Sequence, residues 1–274
     1  MNRYFTVLSI AGSDPSGGAG IQADLKTISA IGCYGMTAIT AITVQNTTGV
    51  TDVQAVEPHI VEGQIDVVTS DIPPMAIKTG MLFDADIVRA VGRGLRKFMA
   101  MHPEVPVVVD PVMVSTSGSM LLSPDAVSAM CDEIFPLATI ITPNIHEARV
   151  LTGFTAPADQ WQAMWRMGCR NVLLKGGDSE CKEVKTDYLC MNGHDELVPI
   201  EAEAVETENT HGTGCTLSAA IASYLAMGCD LVQAVKNAKQ YITGALRAGA
   251  RVAVGQGHGP VNHFFDPQQL KIIV

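Results

Sequence analysis

The chain has 274 residues, 47% of them hydrophobic, and a formal net charge of −10, which suits one large α/β domain with a substantial core. Its acidic surface (sequence pI ≈ 5.1) repels phosphate backbones and argues against nucleic acid as a partner. Mean hydropathy is +0.22, yet the longest apolar runs, Met36–Val44 and Thr216–Met227, are broken by Thr or Ser and fall short of the roughly 18 residues of a membrane span.

MNRYFTVLSIAG opens with a basic residue and a short apolar stretch, but Gly12-Ser13-Asp14-Pro15 follows as a turn. The pattern predicts a first strand over Phe5–Ala11 and no signal peptide. GSDPSGGAG, Gly12–Gly20, comes next; its glycines let backbone lie against a ligand, and a helix starts near Ala19. Further strands are predicted over Thr37–Val44, Met75–Thr79, Val105–Asp110, Thr139–Thr142 and Asn171–Lys175. Between and beyond them, Asp84 caps a helix through Ala100, Ser123-Pro124 supplies an N-cap with Pro at N1, and Asp230 caps a helix through Arg247.

Alternating strands and helices imply βαβ units around a parallel sheet. Unbroken apolar strands such as VPVVVD imply that both sheet faces are covered. Past Gly176, Asp187–Met191 and Glu196–Ile200 flank Asn192-Gly193, a hairpin signal, so the sheet is expected to end in an antiparallel pair. No linker, charge block or repeat divides residues 1–274, which predicts a single three-layer α/β/α domain. The seven cysteines are scattered without a C-x-x-C, which suits a reducing, cytoplasmic setting better than a disulfide framework or a structural zinc.

In an open parallel sheet, ligands sit beyond the carboxyl ends of the strands. The polar residues expected there are the Gly12–Gly20 loop, Gln45 and Asn46, Gly80-Met81, Asp110, Thr142–Ala148 and Lys175-Gly176-Gly177. Each has an ordinary structural reading, as a tight turn, a strand-end polar group or a surface charge; together they share one rim. Asp110 and Glu147 suit a hard cation such as Mg²⁺. Lys175 suits phosphate oxygens, and the turn His211–Gly214 leads into a helix whose first N–H groups favour an anion. These are the parts of a phosphoryl-transfer site, although GxxxxGK[ST] is absent.

GSDPSGGAGIQADLKT, VQNT, KTGML, VVDPVM, TPNIHEA, KGG and NTHGTGCTLSAAIA, in this order over nearly the whole chain, resemble the hydroxymethylpyrimidine/phosphomethylpyrimidine kinases of the ribokinase-like superfamily. The resemblance implies a ribokinase-like α/β/α fold with a largely parallel sheet and an antiparallel edge. It also implies Mg-ATP-dependent phosphorylation of 4-amino-5-hydroxymethyl-2-methylpyrimidine, and then of its monophosphate, in thiamine biosynthesis. By the same resemblance Gln45 reads the pyrimidine, with Gly12, Asp24, Val44 and Met81 in the substrate pocket. Lys175, Asn144 and Thr210 fall to ATP, Asp110 and Glu147 to the metal, and Gly212, Thr213, Gly214 and Cys215 to catalysis. Relatives are often dimers, so a homodimer is expected.

Cys215 stands where sugar-kinase relatives carry a basic Asp. A helix N-terminus lowers a thiol pKa, so the thiol is expected to take a proton near neutrality; a buried packing residue is the alternative. Two departures bear on ATP: Asp178 replaces the His of the usual KGGH, and the segment between Gly153 and Met167 is short. Val112–Met120 is read as a flap over the substrate. A pyridoxal or pyridoxine kinase, and a non-catalytic nucleotide- or pyrimidine-binding regulator, are the competing functions.

Overall fold

A computed structural model describes residues 2–113, 122–176, 183–194 and 196–273. The expected flap beyond Met113, together with Gly177 and Asp178, lies outside the described residues.

An eight-stranded sheet forms the middle layer. Its parallel part comprises β2 (Thr6–Ala11), β3 (Tyr34–Ile39), β6 (Ala76–Thr79), β7 (Val107–Val109), β8 (Ile140–Ile141) and β9 (Asn171–Leu174), and β10 (Val184–Met191) and β11 (Val198–Glu203) extend it antiparallel. The order is β11-β10-β9-β8-β7-β6-β2-β3. Chain direction across the sheet reverses between β2 and β6, so the ends of these strands form the switch-point crevice of an open α/β fold. The expected antiparallel edge is present. The Asn192-Gly193 turn forms too, with Gly193 at φ 82° and His194 N–H donating to Met191 C=O, but β10–β11 pairing stops at Leu189 and Val198, making a longer connection than a two-residue hairpin.

Strand pleating divides the core, because neighbouring residues point to opposite faces. Leu8, Ile77, Val107, Val109 and Ile141 pack toward α2 (Pro58–Asp71), α3 (Ala85–Met99) and α4 (Pro124–Glu133). Val7, Ala76, Val108 and Ile140 pack on the other face with α7 (Thr213–Ala226) and α8 (Leu231–Gly249), beside α1 (Gly20–Ile31). Each fully buried Val contributes roughly 1.5–3 kcal/mol, which is why unbroken apolar strands belong in this layer. Helix starts follow the local chemistry: Asp84, Ser123 and Asp230 each accept an N–H three residues on. Of the other α-helices, α5 (Ile145–Thr152) packs on α6 (Pro157–Arg166), and α6 packs on β9.

One expected strand is two. The run over Thr37–Val44 breaks at Thr40, whose N–H donates to Ala11 C=O and whose hydroxyl donates to Met81 C=O. These bonds turn the chain out of the sheet into β4 (Ala41–Asn46), which pairs with β5 (Gly49–Ala55) as a separate antiparallel ribbon. A further pair joins β1 (Arg3–Tyr4) to β12 (Ile272–Ile273).

Candidate active site

The parallel strands deliver their last residues to one rim, where two groups of side chains assemble. The first surrounds the start of α7. Asp110, directly after β7, is 2% exposed; its Oδ1 lies 3.0 Å from Lys175 Nζ, and the hydroxyls of Thr142 and Ser218 donate to it at 3.4 Å. Lys175 follows β9 and bridges to Asn144 in parallel register. A Cβ on Gly214 would stand 3.2 Å from Asp110 Oδ2 and 3.3 Å from Lys175 Nζ. The first turn of α7, with N–H groups that have no intrahelical partner, therefore opens directly onto this ion pair.

The turn itself is shaped by glycine. Gly212 caps α7 at φ 79°, and a Cβ there would meet Gly18 C=O at 1.7 Å. Thr213 N–H donates to Thr210 C=O, which places Thr210 in the turn entering the helix.

Glu147 is buried at the third position of α5. Its two oxygens accept the N–H groups of Asn144 (2.9 Å) and Met113 (3.1 Å), and Asn144 Oδ1 accepts the Glu147 N–H in return, a reciprocal cap. Burial raises the Glu147 pKa and neighbouring Asp110 raises it further, while Lys175 opposes both. The Glu147–Met113 bond also steadies a strained turn, since Val112 has φ 44°.

Behind Cys215 lies a buried pair absent from the expectations. Lys78 Nζ sits 2.7 and 2.9 Å from the two Asp24 oxygens, neither side chain has exposed surface, and Ser9 donates to Asp24 at 2.5 Å. Asp24 is thus enclosed, and its carboxylate is spent on Lys78 instead of facing a pocket, which corrects its placement among pocket-lining groups. Cys215 also departs from expectation. Burial pushes its thiol up to about 11; Lys78 and the Gly20 N–H pull down, and Asp24 and Asp110 push up. The helix N-terminus does not overcome desolvation.

The second group surrounds Gln45. Gly12 follows β2 and Met81 follows β6, and a Cβ on Gly12 would lie 2.4 Å from Met81 Cε, so the two share the switch-point crevice. Asp14, 1% exposed, organises the Gly12–Gly20 loop by accepting the N–H groups of Ser16, Gly18 and Ala19 and the Ser16 hydroxyl. It also lies 2.8 Å from His211 Nε2. Burial alone would raise the Asp14 pKa, but the hydrogen bonds from His211, Ser16 and Ala19 hold it well below the usual carboxylate range. Gln45 approaches Thr43 Oγ1 at 3.2 Å and His211 Nε2 at 3.5 Å. Val44 sits beside a register shift between it and Gln45 in the ribbon and is 57% exposed.

Asp14 and His211 lie in segments expected at this rim but carried no side-chain role there, and Lys78 was missing from the expected set. Lys78 had a legible signal, a charge inside the apolar strand MAIKTG, where burial demands a partner. Asp187 and Lys239 had none. Asp187 accepts the Gly176 N–H at 2.9 Å and pairs with Lys239 at 2.7 Å, fixing the backbone beside Lys175.

The donor set also bears on a metal. Each Glu147 oxygen already accepts one N–H, Asp110 is bonded to Lys175, and no cluster of three or more His, Cys, Asp or Glu among the described residues is arranged to hold an ion. Two carboxylates with spare lone pairs fit a cation that keeps most of its water, as Mg²⁺ does.

The family model described as phosphomethylpyrimidine kinase matches residues 14–262. A hydroxymethylpyrimidine/phosphomethylpyrimidine kinase of Rhizobium meliloti is 51% identical over 94% of this chain and 96% of its own. A crystal structure of phosphomethylpyrimidine kinase from Clostridium difficile 630 is 43% identical with a TM-score of 0.76, covering 88% of this chain and 99% of that one. An ADP complex of Bacillus subtilis pyridoxal kinase is 34% identical with a TM-score of 0.84, covering 95% and 98%. Among the described residues no helix is long and apolar enough to cross a membrane.

Proposed function

The chain belongs to the phosphomethylpyrimidine kinase family, and we propose that it transfers the γ-phosphoryl group of ATP to the hydroxymethyl oxygen of 4-amino-5-hydroxymethyl-2-methylpyrimidine. The resulting monophosphate then takes a second phosphoryl group, yielding the diphosphate used in thiamine biosynthesis. The observation that carries this reading is the contact geometry of Gly214, whose α-carbon faces Asp110 and Lys175 at the open end of α7.

In this reading the Gly214 and Cys215 N–H groups hold the migrating phosphoryl oxygens, and Lys175 neutralises charge as the bond to ADP breaks. Asn144 and Thr210 border the nucleotide phosphates. Asp110 and Glu147 would hold Mg²⁺, which would supply neutralisation of phosphate charge. Gln45 grips the ring between Gly12 and Met81. Cys215 stays a thiol and so takes no proton itself; its sulfur accepts a hydrogen bond that orients the acceptor alcohol, whose proton passes late to an oxygen of the transferred phosphoryl group, since a loose transition state demands little early deprotonation.

One assay tests the proposal: ADP release with Mg-ATP and, in turn, the hydroxymethylpyrimidine, its monophosphate and pyridoxine, each repeated with EDTA. Turnover of both pyrimidines, abolished by EDTA and restored by Mg²⁺, is expected. Turnover of pyridoxine alone would replace the proposal with a vitamin B6 kinase, and no turnover of any acceptor would indicate a binding protein.

A further inference from the structure

Lys175 lies between two pinned peptides, and we infer that Asp187 and Lys239 are positioning residues for phosphoryl transfer. They hold the peptide that follows Lys175 and through it aim the Lys175 ammonium at the start of α7. The inference rests on the phosphate role proposed for Lys175. Its geometry begins where the sheet stops: β9 and β10 pair antiparallel as far as Leu174 and Tyr188. Just beyond, a side chain takes over from the ladder. Asp187 Oδ1 accepts the Gly176 N–H at 2.9 Å, and Asp187 Oδ2 lies 2.7 Å from Lys239 Nζ on α8. A Cβ on Gly176 would collide with Thr186 C=O, so the backbone here runs hard against β10.

On the other side, the N–H of Lys175 itself donates to Pro143 C=O at 3.0 Å. A residue has only two soft backbone torsions. With the preceding peptide held by Pro143 and the following one by Asp187, both torsions of Lys175 are set, and with them the direction of its Cα–Cβ bond. The side chain then reaches Asp110 Oδ1 at 3.0 Å, beside Gly214.

Stability alone does not call for this pair. Asp187 is 1% exposed and Lys239 8%, and a buried ion pair gains little over apolar residues of the same bulk. What apolar residues cannot do is accept the Gly176 N–H. The carboxylate supplies that acceptor, and Lys239 neutralises it and fixes its rotation so that one oxygen faces Gly176. Lys239 is carried by α8, which packs against α7, so the anchor of Lys175 and the turn it faces share one rigid support.

Paired substitutions test this without stranding a charge. Asp187→Asn/Lys239→Met keeps a side-chain oxygen for the Gly176 N–H; Asp187→Leu/Lys239→Met keeps the bulk and removes the acceptor. The second pair should lower kcat/KM for Mg-ATP roughly 10²-fold, the cost of misplacing a group by about 1 Å, with KM for the pyrimidine unchanged. The first should recover most of that loss. In a Lys175→Met background the second pair should cost nothing further, because residues that act through one group do not add. A loosened fold would cost activity in both backgrounds; losses that multiply, or wild-type kcat/KM in the second pair, would overturn the inference alone. Undiminished turnover in Lys175→Met would overturn the phosphate role of Lys175 and the inference with it. Hydrogen exchange of the Gly176 amide, followed by NMR, needs no turnover: it should be slow in the wild type and the first pair and fast in the second. Fast exchange in the wild type would overturn the anchor before any variant is made.

Discussion

Lys78 and Asp24 meet at 2.7 Å with no exposed surface on either side chain, and the charges of both act on the Cys215 thiol. A buried ion pair adds little net stability over an apolar pair, but removing one partner strands the other charge. Lys78→Met is therefore expected to destabilise the protein by about 3–5 kcal/mol, read as a lower urea midpoint at unchanged slope. The double variant Lys78→Met/Asp24→Asn should recover much of that loss. Equal losses in the single and double variants would show that side-chain packing, not stranded charge, sets the cost.

Gly214 allows a different test, because its missing side chain keeps the start of α7 open. A methyl group there would press on Asp110 and Lys175 at 3.2 and 3.3 Å and stand before the N–H groups assigned to the phosphoryl oxygens. Gly214→Ala should retain near wild-type thermal stability, since Ala favours a helix by about 1 kcal/mol over Gly and offsets the crowding. Its kcat should fall roughly 10²-fold, the usual effect of losing one oxyanion donor. Undiminished turnover would remove this turn from the chemistry.

The layered fold was legible because its signals are local: short apolar strands, and Asp84, Ser123 and Asp230 as caps. The break at Thr40 was not, since it depends on bonds to Ala11 and Met81 that exist only once β2 and β6 are adjacent. The gathering of Asp110, Glu147, Lys175 and Gly214 could be read from strand ends, because a parallel sheet aims those ends at one rim. Asp24 was harder. Whether a side chain in a motif faces a ligand, a buried lysine or solvent depends on rotation about its own helix or strand. The Cys215 thiol failed for a related reason: its helix position argues for a low pKa, and only the packing around it reveals the larger desolvation.

That desolvation makes Cys215 a slow nucleophile. With a thiol near 11, the thiolate fraction at pH 7.5 is smaller than that of a free cysteine by roughly 10²-fold, given an ordinary pKa of about 8.5. Alkylation of the Cys215 peptide by iodoacetamide should be slowed correspondingly and should climb steadily through pH 10. Cys215→Ala should still lower turnover at least about tenfold, as loss of a group that orients the acceptor hydroxyl does, while the wild-type kcat shows no thiol inflection between about pH 7 and 9. Rapid alkylation at pH 7.5 would restore the low-pKa thiol.

His263 should make the protein sensitive to mild acid. It is 4% exposed, its Nε2 lies 3.1 Å from Thr216 Oγ1 on α7, and its C=O accepts from the Tyr241 hydroxyl. Burial lowers its pKa from 6.5 to about 4, with smaller contributions from Lys26 and His211. In the unfolded chain the imidazole takes a proton as pH falls through 6.5, whereas the folded protein resists until about 4. Between these values the unfolded state binds more protons, so stability falls as pH falls. The linkage amounts to about 2 kcal/mol between pH 7.5 and pH 5. Urea unfolding of wild type and His263→Gln at both pH values isolates it, because other titrating groups contribute to each protein alike. The variant starts less stable at pH 7.5, having lost the imidazole contact with Thr216, and should lose about 2 kcal/mol less on acidification. Parallel losses in the two proteins would mean that His263 protonates as readily inside the fold as outside it.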